Sequence, residues 1–191
     1  SVPLLTRRGE VGLARKMERG KMRMQRAISR ALLVQVFVSE YADQIKKETE
    51  GVETFVNFGN DPEESAAALA KRKEVVRQSF LELISLQKRL KHITDKLNNI
   101  PLSNRKLRRR GLSKQARCRI AVSITIRSIL FRPIYWWQFS REIERAYEEL
   151  SHLDAELRRV EERGGPHANS RIRELKREIR KREAGAGASL A

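Results

Sequence analysis

The sequence predicts an all-α protein, a helical bundle that carries a long antiparallel coiled-coil-like hairpin. Three observations lead there. Charged residues make up 34% of the 191 and aromatics only 6%, with 10 Gly and 5 Pro, a balance that belongs to long helices with polar outer faces rather than to sheets with many turns. Apolar residues recur at three- and four-residue steps over most of the chain. Two stretches go further and sustain a seven-residue repeat, the mark of a coiled-coil seam. No sheet is expected.

The first helix is signalled twice. Thr6 supplies a capping hydroxyl, and Leu4 and Leu5 before it supply a hydrophobic staple. Glu10 suits the positive end of the helix dipole. Leu13, Ala14 and Met17 form a narrow apolar face, with Arg7, Arg8, Arg15, Lys16 and Arg19 around it. Gly20 is expected to stop this helix. A second, longer helix is expected from Lys21, with Met24, Ala27, Ile28, Ala31, Val34, Val38, Tyr41 and Ile45 at helical steps.

Residues 51–60, GVETFVNFGN, carry two glycines and no helical period, and read as a loop whose Phe55 and Phe58 tuck against the bundle. The next helix is expected to start at Asp61 as cap, with Pro62 at its first position and Glu63 and Glu64 at the positive end of its dipole. Its seam is Val76, Leu83, Leu90 and Leu97, interleaved with Leu86, Ile93 and Ile100, and Pro101 ends it. The later seam is Trp136, Ile143, Leu150 and Leu157, alternating with Phe139, Ala146, Leu153 and Val160. The two seams are expected to face each other, since a tethered neighbour has a far higher effective concentration than a second molecule. A dimeric coiled coil is the alternative.

No Asp or Glu occurs from Lys96 to Arg141. Arg105, Lys106, Arg108, Arg109, Arg110, Lys114, Arg117 and Arg119 crowd the connection between the seams. Such a block repels itself unless a phosphate backbone or an acidic protein surface lies against it; the alternative is a solvated basic tip. Val122, Ile124 and Ile126 alternate as in a strand, but with no second strand to pair with they read as helix. Pro133 opens the helix that carries Trp136 and Trp137. Trp136 falls in the seam and is expected in the core, with stacking of the two rings on bases as the other option. Gly164, Gly165 and Pro166 break the chain, and a last basic helix is expected from Ser170 to Ala184 with Ile172, Leu175 and Ile179 on a thin stripe. Ser1 and the closing AGAGASLA read as cut ends.

The formal net charge of +17 draws the chain toward a polyanion. No apolar run approaches the roughly 20 residues of a membrane span, and no charged-then-apolar leader is present, so a cytoplasmic location without membrane contact is expected. Cys118 stands alone and reads as a small apolar filler; His92, His152 and His167 are scattered, so no metal site is expected. No nucleophile with a base, no paired carboxylates and no GxxxxGKS or GxGxxG loop occurs at recognisable spacing. The reading is a binding or scaffolding element, not an enzyme, with no cofactor and no small-molecule substrate.

The opening stretch, VPLLTRRGEVGLARKMERGKMRMQRAISRA, resembles the second half of conserved region 1.2 of primary bacterial sigma factors of the sigma-70 type. The residues that carry the likeness are Leu4, Leu5, Thr6, Arg7, Gly9, Glu10, Ala14, Arg19 and Gly20. Arg8 and Gly12 depart from the family, which often has acidic or bulkier residues there. Residues 40–191, with REIERAYEELSHLDAELRRVEER and RELKREIRKREA, are similar to the variable insertion between regions 1.2 and 2.1. The resemblance implies two parts, residues 1–39 from region 1.2 and residues 40–191 as helical insertion. It also implies a fragment of a factor that directs bacterial RNA polymerase to promoters, supporting region 2 and touching duplex DNA or the largest polymerase subunit. Core polymerase and promoter DNA are then the partners. The candidate contacts are Arg7, Arg8, Arg15 and Lys16 in the first helix and Arg105, Lys106, Arg108, Arg109 and Arg110 in the basic block. The alternative is an independent basic helical protein that binds nucleic acid.

Overall fold

The computed structural model describes residues 6–59, 65–164 and 168–187. Seven helices account for nearly all of them, and the β-structure among the described residues is one isolated antiparallel bridge. Helix α1 spans Arg7–Ile28, with Thr6 as its cap: the Gly9 amide donates to Thr6 Oγ1 at 3.2 Å. Leu4 and Leu5 lie outside the described residues. The end of α1 differs from expectation, because the helix passes through Gly20. A mid-helix glycine costs roughly 1 kcal/mol, too little to stop a helix flanked by Arg, Met, Lys and Gln.

The break comes instead at Ser29–Ala31, where neither Gly nor Pro stands, so the expected second helix is divided between α1 and α2 (Leu32–Lys46). Tertiary contacts hold the corner. Ser29 is fully buried and bonded to Ser123, and Gln35 Nε2 donates to the Ser29 carbonyl at 3.3 Å, occupying an acceptor that the end of α1 leaves free.

The expected loop contains one helical turn, α3 (Val52–Phe55), followed by the bridge of Val56 to Phe131. The Asn57 amide donates to the Leu130 carbonyl at 3.3 Å and the Arg132 amide to the Phe55 carbonyl at 3.0 Å, so the two segments are laced by backbone. Phe55 is buried and Phe58 half-buried against the core, as the sequence predicts.

Helix α4 spans Ala66–Asn98 and is capped by Ser65, whose hydroxyl accepts from the Ala68 amide at 3.2 Å. The predicted start at Asp61, Pro62, Glu63 and Glu64 lies outside the described residues. Pro101 sits in the short link after α4, as expected. The basic block is then not a connection but the first half of a helix, α5 (Arg105–Ser128), capped by Asn104. Pro133 opens α6 (Pro133–Arg163), Gly164 ends it at φ 61°, and α7 spans Ala168–Ala186.

The predicted pairing of the two seams is not what the fold uses. Helix α4 packs along α5, and α6 packs along α7. Short links make consecutive helices antiparallel neighbours, and both links here are short, so the outer part of each seam lies against the next helix in the chain, while Val76, Leu83, Trp136, Phe139 and Ile143 pack in or against the shared core. The seam of α6 buries Leu150 and Leu157, and α7 contributes its buried Leu175. Polar ties line this pair: Glu156 to Arg171 at 2.7 Å, Glu161 to Lys176 at 2.8 Å, and Glu149 to Arg182. The all-α bundle with antiparallel hairpins therefore stands, with its partners exchanged.

The two hairpins share one core at their bases, where Val34, Val38, Phe55, Phe80, Leu83, Val122, Ile126, Trp136 and Phe139 are buried together. Phe131 stands at the centre and meets Phe80, Trp136 and Phe139 edge-on, at 5.9, 6.0 and 5.8 Å between ring centroids. Edge-to-face pairs of this kind add about 0.5–1.5 kcal/mol each beyond the area they bury. Helix α2 reaches α4 through Ser39 Oγ to Gln87 Oε1 and Gln87 Nε2 to the Gln35 carbonyl. Beyond Gln87, the α4–α5 hairpin extends from this core.

Candidate polyanion interface

The outer face of α5 is built from residues at three- and four-residue steps. Arg105 and Arg109 lie one above the other, as do Lys106, Arg110, Lys114 and Arg117 on the adjoining rows. Together with Ser113 these side chains line one shallow hollow on the helix surface. All six cations are exposed, and among the described residues no ion pair engages them. Helix α5 takes this form because its opposite side is held: Leu97 of α4 approaches so closely that a Cβ on Gly111 would lie 2.7 Å from Leu97 Cδ1. Gln115 Nε2 donates to Thr94 Oγ1 at 2.9 Å, and Cys118 is buried with its thiol 3.6 Å from the Leu86 carbonyl. Cys118 is thus the filler the sequence predicts.

The first turn of α5 has the wrong charge for a helix. Arg105, Lys106 and Arg108 stand at the positive end of the dipole, where no acidic residue occurs. Each such cation disfavours the helix by about 0.3–1 kcal/mol at low ionic strength. An anion laid on this face relieves both the dipole and the mutual repulsion.

The sequence-predicted residues are only partly brought together. Arg105, Lys106, Arg109 and Arg110 share the hollow. Arg108 does not: it is half-buried, and its Nη1 donates to the Ile100 carbonyl at 3.1 Å, tying the start of α5 to the end of α4. Lys114 and Arg117 join the hollow in its place, through a helical register that only a continuous α5 provides. Arg7, Arg8, Arg15 and Lys16 are exposed on α1, a separate element. No residue of α1 lines the hollow, so the two basic sets are not brought together there.

Of the two tryptophans, Trp136 is 6% exposed and belongs to the core, as expected. Trp137 is 59% exposed, and the Arg141 guanidinium lies over its ring at 5.5 Å. Among the described residues no group of three or more His, Cys, Asp or Glu is placed to hold a metal ion, and no helix is long and apolar enough to cross a membrane. Comparison with protein-family models, with curated proteins and with solved structures gives no match.

Proposed function

We propose that α5 lays its outer face on the phosphate backbone of a nucleic acid, and that the chain does so as a helical portion of a bacterial primary sigma factor. The observation that carries the first half is the acid-free outer face of α5, six exposed cations with no ion pair among the described residues. Point charges on long stems suit phosphates, which position a complex but carry no sequence information. The second half rests on the resemblance of the opening stretch, and the Thr6 cap and Glu10 in the first turn of α1 have the geometry which that motif implies. On this reading the chain braces and positions its neighbours on polymerase and promoter, and other regions read the bases.

The test is binding of the chain to a labelled duplex across a salt series. Each cation that neutralises a phosphate steepens the fall of log affinity with log salt by about 0.9. Replacing Arg105, Lys106, Arg109 and Arg110 by Ala is expected to flatten the slope accordingly, on duplexes of any sequence. An unchanged slope would mean that α5 does not touch the duplex.

One observation favours a second reading, an independent basic helical protein that binds nucleic acid. The motif's helix ends at its glycine, whereas α1 continues to Ile28. The two readings separate on the flanking coding sequence: regions 2 to 4 belong beside the chain under the first and not under the second.

A further inference from the structure

The hollow on α5 has a neighbour of different character. Between α4 and α5, beyond the shared core, runs a groove of about 720 Å³. Its floor is apolar: Leu86, Ile93 and Leu97 from α4 and Ile100 just beyond its end, with Leu107 and Cys118 from α5. Leu107 is 46% exposed, and Ile93 and Ile100 are only partly covered. Both rims carry cations, Arg89 and Lys96 on α4, with His92 between them, facing Arg110, Lys114 and Arg117 on α5. No Asp or Glu lines it.

The floor and the rims ask for different things from one ligand. Arg110, Lys114 and Arg117 stand between the hollow and the groove and line both, but a phosphate backbone has no use for exposed leucine and isoleucine, so the apolar floor is not accounted for by the nucleic-acid face. A single acyl carboxylate would neutralise one rim cation and leave the others facing each other. The groove follows α4 from Leu86 to Ile100, about 20 Å at the rise of a helix. A ligand matched to it carries an apolar stripe of that length with negative charge along both flanks.

We infer that the α4–α5 groove receives an acidic amphipathic helix from a partner protein. The helix lies along the hairpin as the third member of a three-helix packing, its apolar stripe on Ile93, Ile100 and Leu107 and its carboxylates on the two cationic rims. This is the helix-in-groove mode of recognition, in which anchors at three- and four-residue steps give affinity and flanking charge gives register. The inference goes beyond nucleic-acid binding and stands on the apolar floor, which that function does not use.

The experiment is fluorescence anisotropy of the full chain with a labelled peptide of about 18 residues, its Leu residues at helical three- and four-residue steps and Glu elsewhere. A scrambled peptide of identical composition is the control. The amphipathic peptide is expected to bind at least about tenfold more tightly than the scrambled one, since loss of two apolar anchors exceeds the 1.4 kcal/mol that a factor of ten represents. Leu107→Ser with Ile93→Ser, which leaves the net charge unchanged, is expected to abolish that preference while duplex binding and its salt slope stay the same. Because Leu107 is nearly half exposed and outside the shared core, Leu107→Ser alone is expected to keep the fold and to show the same trend at smaller size. Equal affinity for the two peptides overturns the inference, as does full peptide affinity in the double variant. Binding of laurate at this groove without binding of the peptide overturns it too.

Discussion

Ser29 and Ser123 hydrogen-bond through their hydroxyls at 2.8 Å, both side chains almost completely buried. The bond fixes the corner between α1 and α2 onto the C-terminal part of α5. The two partners are not equivalent. Ser29 Oγ also lies 3.3 Å from the Arg26 carbonyl, a second acceptor that Ser123 does not share. Ser29→Ala therefore strands the Ser123 hydroxyl and is expected to cost about 1–3 kcal/mol. Ser123→Ala leaves Ser29 satisfied and is expected to cost less than about 1 kcal/mol. Urea unfolding of the two single variants and the double variant measures the coupling; equal single costs would contradict the asymmetry.

Leu83 is fully buried in the shared core, while Leu90, the next residue of the same heptad row, is half-covered on the outgoing hairpin. Leu83→Ala is expected to cost about 2–5 kcal/mol, and Leu90→Ala distinctly less. Thermal unfolding of the pair checks the order. A cost at Leu90 as large as at Leu83 would mean that the row is buried throughout by a partner this fold lacks.

Gly20 lies in the interior of α1 with nothing within 4 Å of where a Cβ would stand. Gly20→Ala is expected to stabilise by roughly 0.5–1 kcal/mol through helix propensity alone, read as a shift of the urea midpoint. The variant also decides between two conformations. Had Gly20 closed the helix in the left-handed region, as the sequence suggests, alanine there would destabilise instead.

The flank of the α6–α7 pair is expected to be sensitive to acid and salt. Arg182 Nε donates to Glu178 Oε1 at 2.9 Å, and this bond holds the Glu178 carboxyl below the ordinary glutamate value of 4.5. A carboxyl depressed in the folded state adds stability that is complete above its unfolded value and is lost as the pH falls through the folded one. Helical circular dichroism is therefore expected to fall on acidification below about pH 4.5, with Glu178→Gln shrinking that acid limb. Because these groups are exposed, molar salt is expected to mimic part of the loss at neutral pH.

The helices themselves were legible in the sequence because their signals are local. Thr6, Pro133 and Gly164 mark ends that the fold respects. What misled was the meaning of the heptad rows. A row such as Val76, Leu83, Leu90 and Leu97 states that a helix has an apolar side, not which helix covers it. The true partner, α5, hides its complementarity in small residues: Gly111, Cys118 and Ala121 form no heptad of large side chains, yet they let Leu86 and Leu97 approach. The corner at Ser29 was invisible for a related reason, since its bond partner lies in another part of the chain. In the candidate interface, charge was read correctly as a block, but the exclusion of Arg108 and the inclusion of Lys114 and Arg117 required the helical register and the carbonyl of Ile100.

The bridge of Val56 to Phe131 sets the order in which the chain can assemble. Each hairpin joins helices that are consecutive in sequence, so α4–α5 and α6–α7 close over short loops at small entropic cost. The bridge joins the end of α3 to the link before α6, with all of α4 and α5 between them. It cannot form cheaply until that long intervening segment has already doubled back as a hairpin. Local pairs are expected to form first and the lacing of Phe55, Val56 and Asn57 onto Leu130, Phe131 and Arg132 last. Substitutions at the bridge are then felt in the rate of unfolding, while those in the hairpin seams are felt in the rate of folding.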